Sequence, residues 1–314
     1  MINARRPADS YPVCQFCSEL STKYIRITTE PAGAADIAAW LIAPGLAATF
    51  GQQVVIDNRS GAGSVSSIES VARAAPDGYM LLLHGSPVWL MPFMRSNVPW
   101  DPMKDFSPVT LAVTLPNILV VHPSLPIASV KELIAATRAK PGEVNYASGS
   151  TGASNHLAAE LFNAMANAKT VRVPYKGGGP AVLGLLSGQV QFMFATAASV
   201  APHVKSGRLK AIAVTSPAPS ALFPRLPTVS ATGLPGFAAE TLYGLFAPAK
   251  TSANIVNMLN HEVVGVLWKP EVKERLFGAE IEVAASSPEE FAAILKADMA
   301  KWSKVIQDAG IRDE

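Results

Sequence analysis

From Lys23 onward the chain alternates short apolar runs, Gly/Ser-rich turns and amphipathic stretches. Lys23–Thr28 reads as a strand, followed by "TEPAGAAD" and a helix over about Ala35–Phe50. Val54–Asp57 is a second strand, then "NRSGAGS" and a helix over about Val65–Ala75. "PDG" turns the chain into the strand Tyr79–Leu83, and Ile118–Val121 is another strand-length apolar run. The second half repeats the pattern. A helix over Val130–Ala139 stops at "KPG", the strand Val144–Ala147 leads to a helix over Asn155–Ala166, and the strand Thr170–Val173 to a helix from near Pro180. Strands over Gln189–Phe194, Lys210–Thr215 and Gly244–Ala247 follow, with helices across Ser199–Ser206, Asn254–Trp268 and Pro288–Ala309. Strand–loop–helix alternation predicts an α/β architecture with largely parallel strands.

Composition narrows this picture. Of 314 residues, 49% are apolar and 16% charged, which describes a globular chain with ample core material. A formal net charge of +2 gives no field that would draw nucleic acid, and no Lys/Arg stripe is interleaved with aromatics. No apolar run approaches the roughly 18 residues that span a bilayer. The N-terminal stretch carries Arg5 and Arg6 without a following apolar region, so it does not read as a secretory signal; either the signal lies outside these residues or the protein stays in the cytoplasm. Cys14 and Cys17 form a CxxC, but its polar, Pro-bearing flanks suit neither a redox helix start nor half of a zinc site.

In a parallel α/β sheet, ligands settle beyond the carboxyl ends of the strands, where loops enter helix N-termini. Four loops qualify: Thr29–Asp36, His84–Trp89, Ser148–His156 and Tyr175–Pro180. In "VNYASGSTGASNHLAAELF", Gly149 and Gly152 permit a sharp turn after Ala147. Ser154 suits an N-cap for a helix with the apolar stripe Leu157, Leu161, Phe162 and Met165. Free N–H groups and hydroxyls there would suit an anion. The helix dipole adds about 0.3–1 kcal/mol, and each charge-assisted hydrogen bond about 1.5–3 kcal/mol, so bond geometry would decide affinity. The loop alone leaves an anion site and a plain helix start equally open. Phosphate is disfavoured because no Lys follows Gly152, and a nucleophile elbow because GxSxG is absent. "PYKGGGPAVLGLL" repeats the logic, with three glycines, a cation at Lys176 and Pro180 suited to a first helical position.

The histidines are scattered without HxH or HxxxH spacing, no acidic pair stands out, and no cofactor fingerprint is complete, so neither a metal nor a cofactor is expected. A binding protein is favoured over an enzyme.

Several segments in order, among them "QQVVIDNRSGAGSVSSIESVARAAPDGYMLLL", "NYASGSTGASNHLAAELF", "VRVPYKGGGPAVLGLLSGQVQFMF" and "LPTVSATGLPGF", resemble the tripartite tricarboxylate transporter substrate-binding proteins, the Bug family, over about Ile25 to Ile311. The resemblance implies a periplasmic binding protein-like fold of type II: two α/β lobes, a ligand cleft and two crossover segments, placed near Asn117–His122 and Tyr243–Ala247. An atypical segment 1–22 would precede a discontinuous first lobe of residues 23–119 and 244–314, with the second lobe at 120–243. It also implies a non-enzymatic monomer in the periplasm. Such a protein captures a di- or tricarboxylate or an acidic amino acid and delivers it, through a transient contact, to membrane transporter subunits.

The ligand-binding residues that carry over are Pro31, Gly33, Ala34 and Asp36 in the first loop, Gly85 and Ser86 after the third strand, and Ser148, Ser150, Thr151, Gly152, Ser154 and His156 in the Ser/Gly loop. Tyr175, Lys176 and Gly177 follow in the fourth loop, with Ala195 beyond. The chain departs from the family pattern at Glu30 and Ala32 in a shortened first loop, and at Ala195, where an Asp is usual. Two alternatives are a cytoplasmic ligand sensor and a hydrolase or lyase using His156 with a nearby Ser.

Overall fold

The apolar runs become the middles of two sheets. The structure, a computed structural model, describes residues 24–29, 34–59, 65–149, 151–175 and 177–312. The first stretch runs β1 (Ile25–Thr29), α1 (Ala34–Phe50), β2 (Val54–Asn58), α2 (Val65–Ala72), β3 (Met80–His84), α3 (Pro87–Met94) and β4 (Phe106–Leu115). Next come β5 (Asn117–Val121), α4 (Val130–Ala139), β6 (Asn145–Ser148), α5 (Ser154–Ala166), β7 (Val171–Pro174), α6 (Gly178–Leu186), β8 (Phe192–Thr196), α7 (Ala197–Lys205) and β9 (Lys210–Val214). The chain closes with α8 (Val229–Thr232), β10 (Thr241–Pro248), α9 (Ala253–Leu267), α10 (Pro270–Gly278), β11 (Glu282–Val283) and α11 (Pro288–Asp308).

The first sheet has the order β11-β4-β10-β3-β1-β2 and the second β7-β6-β8-β5-β9. Without β11 the two share one plan. Three parallel strands, β2-β1-β3 or β7-β6-β8, are followed by one antiparallel strand, β10 or β5, and then by β4 or β9. This repeated plan is the type II binding-protein arrangement. The expectation of largely parallel strands fails at β5 and β10, where each passage between sheets feeds its next strand in from the opposite side, and again at the short edge strand β11, which runs antiparallel to β4.

The chain leaves the first sheet at Pro116 and returns between Thr215 and Glu240; of the stretches expected near the crossovers, Asn117–His122 is strand β5 with one residue beyond it, and Tyr243–Ala247 lies in β10. The two passages are stitched together. Thr215 N–H donates to the Asn117 carbonyl (2.9 Å), Ala239 N–H to the Thr215 carbonyl (3.0 Å), and Asn117 Nδ2 to the Ala239 carbonyl (3.0 Å). Asn117 N–H donates to Thr215 Oγ1 (2.9 Å), and both side chains are fully buried.

Five elements had no clear sequence signal, among them the single-turn helix α8. Helix α3, "PVWLMPFM", is apolar on every side and contains Pro92, so it shows no amphipathic period. Strand β4 mixes Ser107, Pro108 and Thr110 into its apolar residues, while α10 and β11 are short. Within α5, Leu157, Leu161 and Phe162 are buried as expected, but Met165 is 36% exposed. Pro180 is the third residue of α6, because Gly177 holds the N-cap position.

Close packing of helix on sheet depends on one glycine. Gly244 lies in β10, and a Cβ there would stand 1.9 Å from Phe291 Cζ of α11. The Phe291 ring sits 5.0 Å from that of Phe246, within the larger core cluster. Replacing Gly244 with Ala is therefore expected to destabilise the protein by about 1–3 kcal/mol through overpacking. A calorimetric unfolding midpoint several degrees below wild type would show it, and an unchanged midpoint would contradict it.

Candidate functional site

The carboxyl ends of β6 and β7 bring two expected loops into contact. Tyr175 N–H donates to the Ser148 carbonyl (2.9 Å), and a Cβ on Gly149 would lie 3.4 Å from the Gly177 backbone. Bulkier residues would hold the loops apart. Gly152 has φ +75°, a left-handed conformation suited to glycine, and Gly177 has φ +110°. Together these turns aim the N-termini of α5 and α6 at one region.

The start of α5 differs from the sequence reading. Ala153 occupies the N-cap position and has no side chain to cap with, so Ser154 is the first helical residue rather than the cap. Loop geometry is held instead by the two residues that follow. Gly149 N–H donates to Asn155 Oδ1 (3.2 Å) and Gly152 N–H to His156 Nδ1 (3.1 Å). His156 is 3% exposed, and burial, then the Arg172 charge, holds its pKa down at about 4. The imidazole is thus neutral at pH 7, with Nδ1 accepting and its proton on Nε2, 4.0 Å from Glu160 Oε1. Its free lone pair is already committed to Gly152, which leaves it unsuited to general-base work.

Behind the loop lies a polar cluster. The Tyr146 hydroxyl donates to Glu160 Oε1, and burial, then that contact, raises the phenol well above its ordinary pKa. Arg172, on β7, donates from Nε to Ser148 Oγ (2.7 Å) and from Nη2 to the Gly149 carbonyl (3.2 Å). Its terminal nitrogens also reach Thr151 Oγ1 at 3.4 Å. The sequence reading missed Arg172; a cation inside a four-residue strand beside "PYKG" was the available signal.

Other expected residues are distributed as follows. Gly85 N–H donates to His84 Nδ1 (2.9 Å), and Tyr243 lies 3.1 Å from where a Gly85 Cβ would be. Ser86 holds the N-cap position of α3 without a side-chain cap bond. Ala34 and Asp36 begin α1, and Asp36 accepts from Asn58 Nδ2 (2.8 Å). The Tyr175 phenol is turned away from the loop: it packs over Gly184 and donates to Gln189 Oε1 (3.2 Å). Ala195 is fully buried in the apolar cluster of the second sheet, so it offers a ligand neither charge nor donor. Pro31, Gly33, Ser150 and Lys176 lie outside the described residues, as do Glu30, Ala32, Cys14 and Cys17.

The two sheets meet at this site. Met94, at the end of α3, puts its sulfur 2.5 Å from where a Gly152 Cβ would be, so α3 presses directly on the Ser/Gly loop. Alongside is a small crevice of about 10 Å³, lined by Ser86, Trp89 and Leu90 of α3, Ser154 and Leu157 of α5, the return passage Ala239–Leu242, and Asp298 and Trp302 of α11. That volume suits about one water molecule. Asp298 accepts from Trp89 Nε1 (2.8 Å) and Trp302 Nε1 (2.9 Å) and pairs with Lys301 (3.1 Å). Glu240 is less well matched: burial, then the nearby Glu282 charge, pushes its pKa up to about 7 against the pull of Lys301. Neither acid was singled out in the sequence: the charges facing Glu240 and the Trp89 partner of Asp298 lie on distant segments. Among the described residues, no three His, Cys, Asp or Glu side chains group as metal ligands, and no helix is long and apolar enough to cross a membrane.

The family model described as "Tripartite tricarboxylate transporter family receptor" matches residues 38–311. Protein BugT of Bordetella pertussis is 33% identical over 284 residues, covering 90% of this chain and 87% of that protein. An R. palustris protein solved with adipate superposes with a TM-score of 0.76 at 30% identity, covering 94% of this chain and 99% of that one. MatC of Rhodopseudomonas palustris, solved with bound malate, gives 0.73 at 28% identity, covering 91% and 99%.

Glu240 yields a pH prediction. The folded chain holds its proton more tightly than the unfolded chain, so this group's contribution is intact at acid pH and is lost as pH rises from about 4.5 through about 7. Glu240→Gln is expected to be more stable than wild type at pH 8, by on the order of 2 kcal/mol, with the gap closing toward pH 4.5. Denaturant unfolding across that range measures it; parallel profiles for the two proteins would refute it.

Proposed function

Because the chain belongs to the tripartite tricarboxylate transporter receptor family, the Bug-type binding proteins, we propose that it captures a small organic dicarboxylate between its two sheets and passes it to membrane transporter subunits. The observation that carries this reading is the meeting of the Ser148–Gly152 and Tyr175–Gly177 loops at the N-termini of α5 and α6. Unpaired N–H groups, the positive ends of two helices and the hydroxyls of Thr151 and Ser154 make a donor-rich surface suited to a carboxylate. Adipate in one solved relative and malate in another support a four- to six-carbon diacid as the ligand class.

The proposed ligand residues are Ser148, Thr151, Gly152 and Ser154 of the Ser/Gly loop, Gly177 of the adjoining loop, and Gly85 and Ser86 of the facing sheet. His156 and Tyr175 act behind this surface, each spent on a neighbour of its own. We place the protein in the periplasm as a single copy that meets its membrane partner transiently. It binds its ligand without converting it.

Calorimetric titration with adipate and malate tests the reading. Saturable one-to-one binding below millimolar concentration is expected for at least one of a panel of di- and tricarboxylates, and silence across the panel would overturn it. Gly152→Ala forces a side chain into a left-handed turn and against Met94. It should weaken binding about tenfold or more, since roughly 1–3 kcal/mol of local strain must be absorbed.

A further inference from the structure

Arg172 is the most conspicuous charged group that the binding reading leaves unused. It is half-buried on the edge strand β7, behind the Ser/Gly loop, and makes no ion pair among the described residues. The acid in the same cluster, Glu160, is engaged otherwise: one oxygen accepts from the Tyr146 hydroxyl, and the other lies 3.4 Å from Asn163 Nδ2. Every partner of Arg172 is instead an uncharged oxygen of the loop: Ser148 Oγ, the Gly149 carbonyl and Thr151 Oγ1.

This arrangement has two effects. The guanidinium fork holds three points of the loop at once, as a planar five-donor group can and an ammonium cannot. Its positive charge has no carboxylate within ion-pair distance among the described residues, in a half-buried position where screening is weaker than in open solvent. That charge is felt nearby, since it helps hold the His156 imidazole neutral.

We propose that Arg172 is the positioning and charge-selecting residue of this site, orienting the Ser/Gly loop and supplying the positive charge that an ionised carboxylate ligand balances. The inference rests on the dicarboxylate reading. It adds a specific claim to that reading: the loop selects ionised ligands through a cation on the strand behind it, in addition to the backbone and hydroxyl donors that face the ligand. The ligand's carboxylate takes the place of the missing counter-ion without displacing any hydrogen bond of the guanidinium.

The test compares wild type, Arg172→Lys and Arg172→Gln, using adipate and malate in calorimetry at pH 8 and NMR titration of the His156 ring. Arg172→Gln should weaken binding of whichever diacid wild type takes by tenfold or more, and should raise the His156 pKa above about 4. Arg172→Lys keeps the charge and loses the fork. It should bind more weakly than wild type, because the loop loses its brace, but clearly more tightly than Arg172→Gln, and should leave His156 near its original pKa. A purely structural role would weaken both variants alike and leave no charge-dependent change at His156, and that result overturns the proposal. Wild-type affinity in Arg172→Gln overturns it as well. If wild type itself takes neither these diacids nor any other carboxylate, the dicarboxylate reading has failed and this inference falls with it. That outcome is seen in the wild-type arm alone.

Discussion

The arrangement depends on the buried stitch between the two chain passages. Asn117, Thr215 and Ala239 belong to three separate stretches, yet their backbones and side chains complete one another's hydrogen bonds. A typical hydrogen bond contributes only about 0.5–1.5 kcal/mol net, but leaving a buried partner unsatisfied costs about 1–3 kcal/mol. Disrupting one passage therefore penalises the other. The stitch also leaves Asn117 Oδ1 buried with no hydrogen-bond partner among the described residues, a local cost tolerated at the junction. With the passages tied here, the carboxyl ends of β3 and β6 face each other, and α3 comes to rest on the Ser/Gly loop.

Around that junction the polar groups divide their work. Asn155 and His156 spend their acceptors on loop N–H groups, which shapes the turn from within. Arg172 braces it from the adjoining strand. Asp298 is almost fully satisfied by two indoles and one ammonium. Glu240 has burial and a like charge against it and only Lys301 in its favour. Among these acids, it is the one whose proton occupancy is tuned to neutral pH, and it sits where the returning passage meets both sheets.

Much of this was legible in the sequence because it is local. Apolar runs such as Leu81–Leu83 and Leu119–Val121 read as buried strands, and Gly149 and Gly152 as permitting a sharp turn. The less legible parts are relational. Helix α3 has no polar face because α11 and the core cover it, so no period marks it. Ser154 looked like a cap, but the chain enters the helix one residue earlier and Asn155 takes over the polar role. Glu240 and Asp298 were unremarked because part of their surroundings comes from far away in sequence, and Arg172 because its loop partners sit on the preceding strand–helix connection. Trp89 and Asp298, for instance, are separated by most of the chain. Ala195, chosen by position in a motif, proved to be core.

The insertion of one sheet within the other also bears on assembly. The second sheet is built wholly from residues between Asn117 and Val214, whereas the first must pair β4 with β10 across that entire interval. If the interval were an open chain, closing it would cost the loop entropy of more than a hundred residues; once folded, it brings its own ends together at the stitch. The inner unit thus acts as a preformed clasp for the outer one. Long-range pairing is slow in proportion to the chain it must gather, so the rate at which the inner sheet forms sets how long the edges of β4 and β10 stay exposed.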